Sequence, residues 1–169
     1  MTTLTIDHID SPVGLILAVS HGNKLCALDY EGYEERMHRL LNKRFGPCTL
    51  DQKTNAQLRE KLDDYFAGRF SSLDDIEVEL GGTPFQQKTW QALRTIPAGE
   101  TWSYGQLARV LGNEKAMRAV GTANGQNPVA IVVPCHRVIG SNGTLTGYAG
   151  GLERKKNLLE LEGVSLTGK

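Results

Sequence analysis

The stretch Leu80-Gly81-Gly82-Thr83-Pro84 separates two parts of the chain whose apolar residues repeat with different periods. Upstream, short apolar runs at residues 4–9, 15–19 and 25–30 are broken by Asp10-Ser11-Pro12 and His21-Gly22-Asn23, the punctuation of an antiparallel meander. Two helical patterns follow: residues 34–45, with Met37, Leu40 and Leu41 on one face, and 55–67, with Leu58, Leu62, Tyr65 and Phe66, closed by Gly68. Downstream the patterns are mostly helical. A change of period at a pair of glycines predicts two domains, residues 1–81 and 82–169, and 40% hydrophobic content is enough to give the chain a real core. The expected class is α/β: an N-terminal antiparallel sheet with helices, then a mostly helical C-terminal domain.

In the second half, Thr83 followed by Pro84 reads as an N-cap with proline at the first helical position, opening a helix to about Thr95 that carries Phe85, Trp90 and Leu93 inward. Ser103-Tyr104-Gly105-Gln106 has the Ser-x-x-Gln form of a capping box and opens a short helix with Leu107, Ala108 and Leu111 inward. After the Gly112-Asn113 turn another helix covers residues 114–124, completing a helix-turn-helix pattern. Ala116, Ala119 and Ala123 recur on it beside Arg118. Such a stripe packs against another helix or lets the backbone approach a DNA groove, and the basic half around it favours DNA.

The overall charge of zero hides an asymmetry. Residues 1–82 hold 9 Lys and Arg against 14 Asp and Glu, whereas residues 83–169 hold 10 against 5. A basic C-terminal half suits a phosphate backbone, the alternative being two domains whose opposite charges face each other. Cys26, Cys48 and Cys135 are odd in number and irregularly spaced, which argues against a disulfide framework. No metal-ligand spacing is present among them and His8, His21 and His38. No apolar stretch reaches membrane-spanning length and Met1-Thr2-Thr3-Leu4 has no signal-peptide character, so a cytoplasmic protein without membrane association is expected.

Pro134-Cys135-His136-Arg137 is the focus of possible chemistry. It follows the apolar run 129–133, which reads as a strand-like piece of core. A free cysteine is most often a small buried hydrophobe. A thiol beside a histidine at the exit of a buried segment is also the pattern of a nucleophile.

These blocks resemble the O6-alkylguanine-DNA alkyltransferases. The resemblance rests on Pro134-Cys135-His136-Arg137-Val138-Ile139-Gly140, on Asn127-Pro128 upstream and Gly147-Tyr148-Ala149-Gly150-Gly151 downstream, and on Ser103-Tyr104-Gly105-Gln106-Leu107-Ala108 and Arg118-Ala119-Val120-Gly121. It spans residues 83–166 strongly and reaches the N-terminal half through Asp10-Ser11-Pro12-Val13-Gly14. It implies a ribonuclease H-like N-terminal domain and a winged helix-turn-helix-like C-terminal one.

The resemblance also implies roles. Cys135 accepts an alkyl group from O6-alkylguanine, and from O4-alkylthymine, in flipped-out bases of double-stranded DNA, and is consumed in doing so. His136 takes the thiol proton through a water and Glu162 orients it; taken alone, Glu162 reads as a solvated helix-end carboxylate. Tyr104 assists the leaving base and crowds the DNA phosphate, and Asn127 braces the backbone beside Cys135. Gly105, Asn113, Arg118 and Ser141 join Tyr104 in contacting DNA, with Arg118 filling the vacated place in the duplex. Tyr148, Ala149, Gly150 and Val138 line the pocket. The implied binding is to the minor groove, independent of sequence, by a monomer without cofactor or metal. One alternative is a noncatalytic alkyl-damage-binding relative, disfavoured because such proteins lack the cysteine; another is a Cys-His hydrolase, which leaves the helix-turn-helix unexplained.

Overall fold

The computed structural model describes residues 1–166. Its first four strands are β1 (Thr2–Ile9), β2 (Ile16–His21), β3 (Lys24–Tyr30) and β4 (Cys48–Gln52), in one sheet of order β3-β2-β1-β4. β1, β2 and β3 form the expected antiparallel meander. The sheet is mixed, however, because β4 pairs parallel to β1 after the crossover helix α1 (Glu34–Phe45). Cys48-Thr49-Leu50-Asp51-Gln52 is too short and polar to read as a strand, and as an edge strand it needs only Leu50 and Cys48 to touch the core. Met37 and Leu41 of α1 pack there with Leu4, Leu17, Val19 and Cys26. α2 (Ala56–Phe66) is capped by Asn55, whose side chain accepts from Leu58 N at 3.0 Å.

Two helices of the second half start where their caps dictate. α3 (Pro84–Leu93) and α4 (Tyr104–Val110) both begin with complete capping boxes, Thr83 with Gln86 and Ser103 with Gln106. Residues 114–116 form a 3-10 turn, and α5 (Met117–Gly125) starts after it. The alanine stripe therefore breaks up: Ala116 is half-buried, Ala119 exposed and Ala123 buried, its carbonyl accepting Trp90 Nε1–H at 2.9 Å. Two-residue strands β5 (Trp102–Ser103) and β6 (Val138–Ile139) pair in parallel, and α6 (Leu152–Leu161) closes the fold.

The chain packs as two units, Met1–Gly81 with Pro128–Val132, and Gly82–Asn127 with the residues from Val133. Both glycines at the junction have positive φ, 64° and 82°, which explains the pair. Residues 128–132, which the sequence places in the C-terminal half, belong with the first unit: Leu28 N donates to Pro128 O and Ala130 N to Leu28 O. The run 129–133 is not a strand. Only Val129 makes a bridge, to Leu28. Ile131 has φ 68° and Val132 N donates to Ala130 O at 2.8 Å, a γ-turn that is rare and strained for a β-branched residue.

Candidate active site

Cys135 stands on a 3-10 turn, Cys135–Arg137, held from both sides by backbone and amide contacts. Pro134, with φ −82° and ψ 66°, makes an inverse γ-turn in which Cys135 N donates to Val133 O at 2.8 Å. The same carbonyl accepts Asn127 Nδ2–H at 2.8 Å, and the Cys135 carbonyl accepts Asn124 Nδ2–H at 3.3 Å. Two amides, Asn124 on the last turn of α5 and Asn127 just beyond the helix, thus brace the turn. Cys135 itself is 5% exposed.

His136 is fully buried, and its Nε2 lies 2.8 Å from Glu162 Oε2. Arg137 grips the same carboxylate with two parallel bonds, Nε to Oε1 and Nη2 to Oε2, each 2.9 Å, while its Nη1 donates to Ile96 O at 2.6 Å. Burial alone raises a carboxyl group, but the His136 and Arg137 hydrogen bonds and charges outweigh it and hold Glu162 at about 2. Burial pushes His136 below its ordinary value, against the pull of Glu162. Arg137 already neutralises the carboxylate, so the resting imidazole is neutral. An ionised Glu162 accepts only a proton-bearing nitrogen, so Nε2 carries the hydrogen and Nδ1 keeps a free lone pair. Nδ1 is buried and has no partner among the described residues. The arrangement is a base oriented by a carboxylate, with its accepting nitrogen free, next in the chain to a thiol.

Lys155 of α6 is a second buried charge. Among the described residues no carboxylate meets it; Nζ donates to Val138 O and Thr146 O, both at 2.7 Å, and to Gly147 O at 3.5 Å. Burial pulls its ammonium down to about 8, and Cys135 acts in the opposite direction. Lys155 ties the end of β6 to the segment that leads into Tyr148. Tyr104 Oη lies 2.7 Å from Thr146 Oγ1 of that segment, and its ring faces Gly121, where an added Cβ would stand 3.7 Å from the ring.

Two family models cover nearly the whole chain: 6-O-methylguanine DNA methyltransferase, ribonuclease-like domain, over residues 5–80, and 6-O-methylguanine DNA methyltransferase, DNA binding domain, over 84–164. The chain belongs to the 6-O-methylguanine DNA methyltransferase family. It is 49% identical over 170 residues to the methylated-DNA–protein-cysteine methyltransferase of Salmonella typhimurium, covering 98% of this chain and 99% of the relative. The Mycobacterium tuberculosis protein of the same name is 48% identical over 158 residues, covering 91% and 89%. The crystal structure of Mycobacterium tuberculosis OGT in complex with DNA superposes with a TM-score of 0.78 at 45% identity, covering 94% of this chain and 92% of that one.

Within this member of the methyltransferase family, Cys135, His136, Asn127 and Glu162 lie together in the second unit, with Val138 buried beside them. Tyr148 and Ala149 are half-buried and Gly150 is buried, ahead of α6. Arg118 and Asn113 are exposed along the helix-turn-helix, Gly105 is half-buried on α4, and Ser141 is exposed in the loop after β6. Glu162 caps α6 and is buried. Asn124, Arg137 and Lys155 escape a reading of the sequence, because an asparagine on a helix and two basic residues ordinarily face solvent. Arg137 next to His136 was the one available signal. Among the described residues no three His, Cys, Asp or Glu side chains converge as a metal site, and no helix is long and apolar enough to cross a membrane.

Proposed function

We propose that this protein repairs DNA by direct reversal, moving the alkyl group of O6-alkylguanine, or of O4-alkylthymine, to Cys135. The observation that carries this reading is the buried chain from His136 through Glu162 to Arg137 beside the thiol. The thiol proton passes to His136 Nδ1 through a water, and Glu162 stabilises the imidazolium. The thiolate then attacks the alkyl carbon, the carbon–O6 bond breaks, and the guanine leaves as an anion that takes up a proton. The Tyr104 hydroxyl, half-buried near the pocket wall, is the donor we assign to the base. The product is a thioether that water does not cleave, so one molecule acts once.

The C-terminal part, residues 82–169, does this chemistry and binds DNA in our reading, while residues 1–81 are scaffold. The order β3-β2-β1-β4 with β4 parallel to β1 supports a ribonuclease H-like first domain, and the β5–β6 pair beside the helix-turn-helix supports a winged second one. Exposed Arg118, Asn113 and Ser141 fit a duplex whose damaged base has left the stack, Arg118 taking its place from the minor groove. Tyr148, Ala149, Gly150 and Val138 wall the pocket. The protein acts as a cytoplasmic monomer without cofactor. Incubation with a duplex holding one O6-methylguanine, followed by peptide mass spectrometry, should place one methyl group on Cys135 per molecule; many repaired guanines per molecule, or methyl groups elsewhere, would refute this.

A further inference from the structure

Among the described residues three buried side-chain polar atoms have no hydrogen-bond partner: Arg44 Nε in the first unit, and Asn124 Oδ1 and His136 Nδ1 in the second. The second pair belongs to residues tied to Cys135. His136 follows it in the chain. Asn124, 4% exposed on the last turn of α5, donates Nδ2–H to the Cys135 carbonyl at 3.3 Å. With Nδ2 on a carbonyl, the other amide atom must be the oxygen, so Oδ1 is a true acceptor. Nδ1 of His136 is also an acceptor, since Nε2–H faces Glu162. Two unsatisfied acceptors thus belong to the residue that holds the Cys135 carbonyl and to the residue that follows Cys135, and a thiol has only one hydrogen to give. Water has two, and buried water sits where polar groups lack partners.

We propose that Asn124 is a positioning residue for the activation of Cys135: its N–H holds the Cys135 carbonyl, and its Oδ1, with His136 Nδ1, seats the water that carries the thiol proton. This rests on the alkyl-transfer reading above. The proton count closes. Sγ–H passes its proton to the water oxygen as the water passes another to Nδ1, leaving thiolate, water and imidazolium, with the remaining water hydrogen on Oδ1 throughout. Asn127 differs, since its Nδ2 serves Val133 O and so the backbone turn. Glu162, Arg137 and Lys155 are the charged groups that act on His136, and Lys155 interacts with Cys135; Asn124 adds no charge, so replacing it alters water placement without altering charge.

The test uses the full-length protein and variants Asn124→Leu, which removes donor and acceptor at similar volume, and Asn124→Ser, whose hydroxyl retains both. The rate of Cys135 alkylation by iodoacetamide is followed by mass spectrometry from about pH 6 to about pH 10, a span that brackets the free-thiol pKa of about 8.5. Asn124→Leu should be slowed about tenfold near pH 7, less than the hundredfold or more that a general base itself contributes, because His136 remains in place. The loss should shrink toward parity at the alkaline end, where the thiol ionises unaided, and Asn124→Ser should recover most of it. An equal loss at every pH, no loss, or a serine variant no better than leucine would overturn the proposal. Should Asn124→Leu fail to fold, Asn124→Ala, which also lacks donor and acceptor, decides by the same profile: a deficit that closes with rising pH supports the proposal, and a flat profile ends it. If the unaltered protein reacts with iodoacetamide but takes nothing from O6-benzylguanine, the alkyl-transfer reading fails separately.

Discussion

Each unit buries a cysteine, and the two thiols have opposite surroundings. Cys26, wholly enclosed in β3, donates to Val19 O at 3.4 Å, and burial pushes its thiol up to about 12 despite the Arg44 charge nearby. Cys135 is almost as enclosed but adjoins a neutral imidazole whose Nδ1 is free. The buried carboxylates differ in the same way. Asp7 spends its oxygens on Arg59 and Asn55 N, joining β1 to α2, whereas Glu162 orients His136 and is charge-balanced by Arg137. Burial makes a cysteine inert; an oriented base at its side makes burial useful.

The contrast breaks outright if the wrong thiol reacts. Cys135→Ser should abolish alkyl transfer from a methylated duplex, whereas Cys26→Ala should transfer at the unaltered rate and lose only about 1–2 kcal/mol of stability, a small cavity cost. Mass spectrometry and urea unfolding read the two effects. Next in size, Glu162→Gln should slow transfer by about a hundredfold, because an amide cannot fix the Nε2–H form of His136 as an ionised carboxylate does. Asp7→Asn should leave the single-turnover rate alone and show itself only in the unfolding midpoint. Comparable rate losses in both would erase the distinction between the two carboxylates.

Arg118→Ala sharpens the assignment of the exposed helix-turn-helix. Transfer from duplex DNA should fall about tenfold, equivalent to roughly 1.4 kcal/mol, within the range of a single arginine contact. Reaction with free O6-benzylguanine should change less than twofold, and equal losses on both substrates would remove Arg118 from duplex handling.

The last effect is on stability alone, as a dependence on pH. Glu162 is held at about 2 in the folded protein against an ordinary 4.5, so its contribution is complete above 4.5 and fades as the pH falls from there toward 2. His136 is lowered too: the unfolded chain binds its proton more readily, and stability declines below its ordinary 6.5. Unfolding free energy measured from pH 8 downward should fall in both windows, and Glu162→Gln should flatten the lower one. A lower limb unchanged in that variant would contradict the assignment.

Caps and amphipathic faces were legible in the sequence because they are local. Glu34–Phe45 matches its expected span, and both Thr83 and Ser103 announce their helices through a Gln three residues on. β4 was hidden because an edge strand needs few apolar residues. Residues 129–133 misled because a run of apolar residues fits a strand, a buried helix or a folded turn equally well, and Ile131 in the left-handed region lacks the glycine that would have marked it. Cys135, His136 and Glu162 were reachable through the motif that contains the first two. Asn124 and Lys155 were not, since their importance comes from carbonyls that only tertiary packing brings to them.

The β5–β6 pairing is only two residues long, Trp102 with Val138 and Ser103 with Ile139. It joins the residue that caps α4 directly to the strand leaving the Cys135 turn. That ladder works as a depth gauge, setting how far the thiol stands behind the helix pair. One residue inserted between Arg137 and Val138 would turn each β6 side chain to the other face and move the Val138 carbonyl off Lys155. Length is therefore less negotiable in this short stretch than side-chain identity.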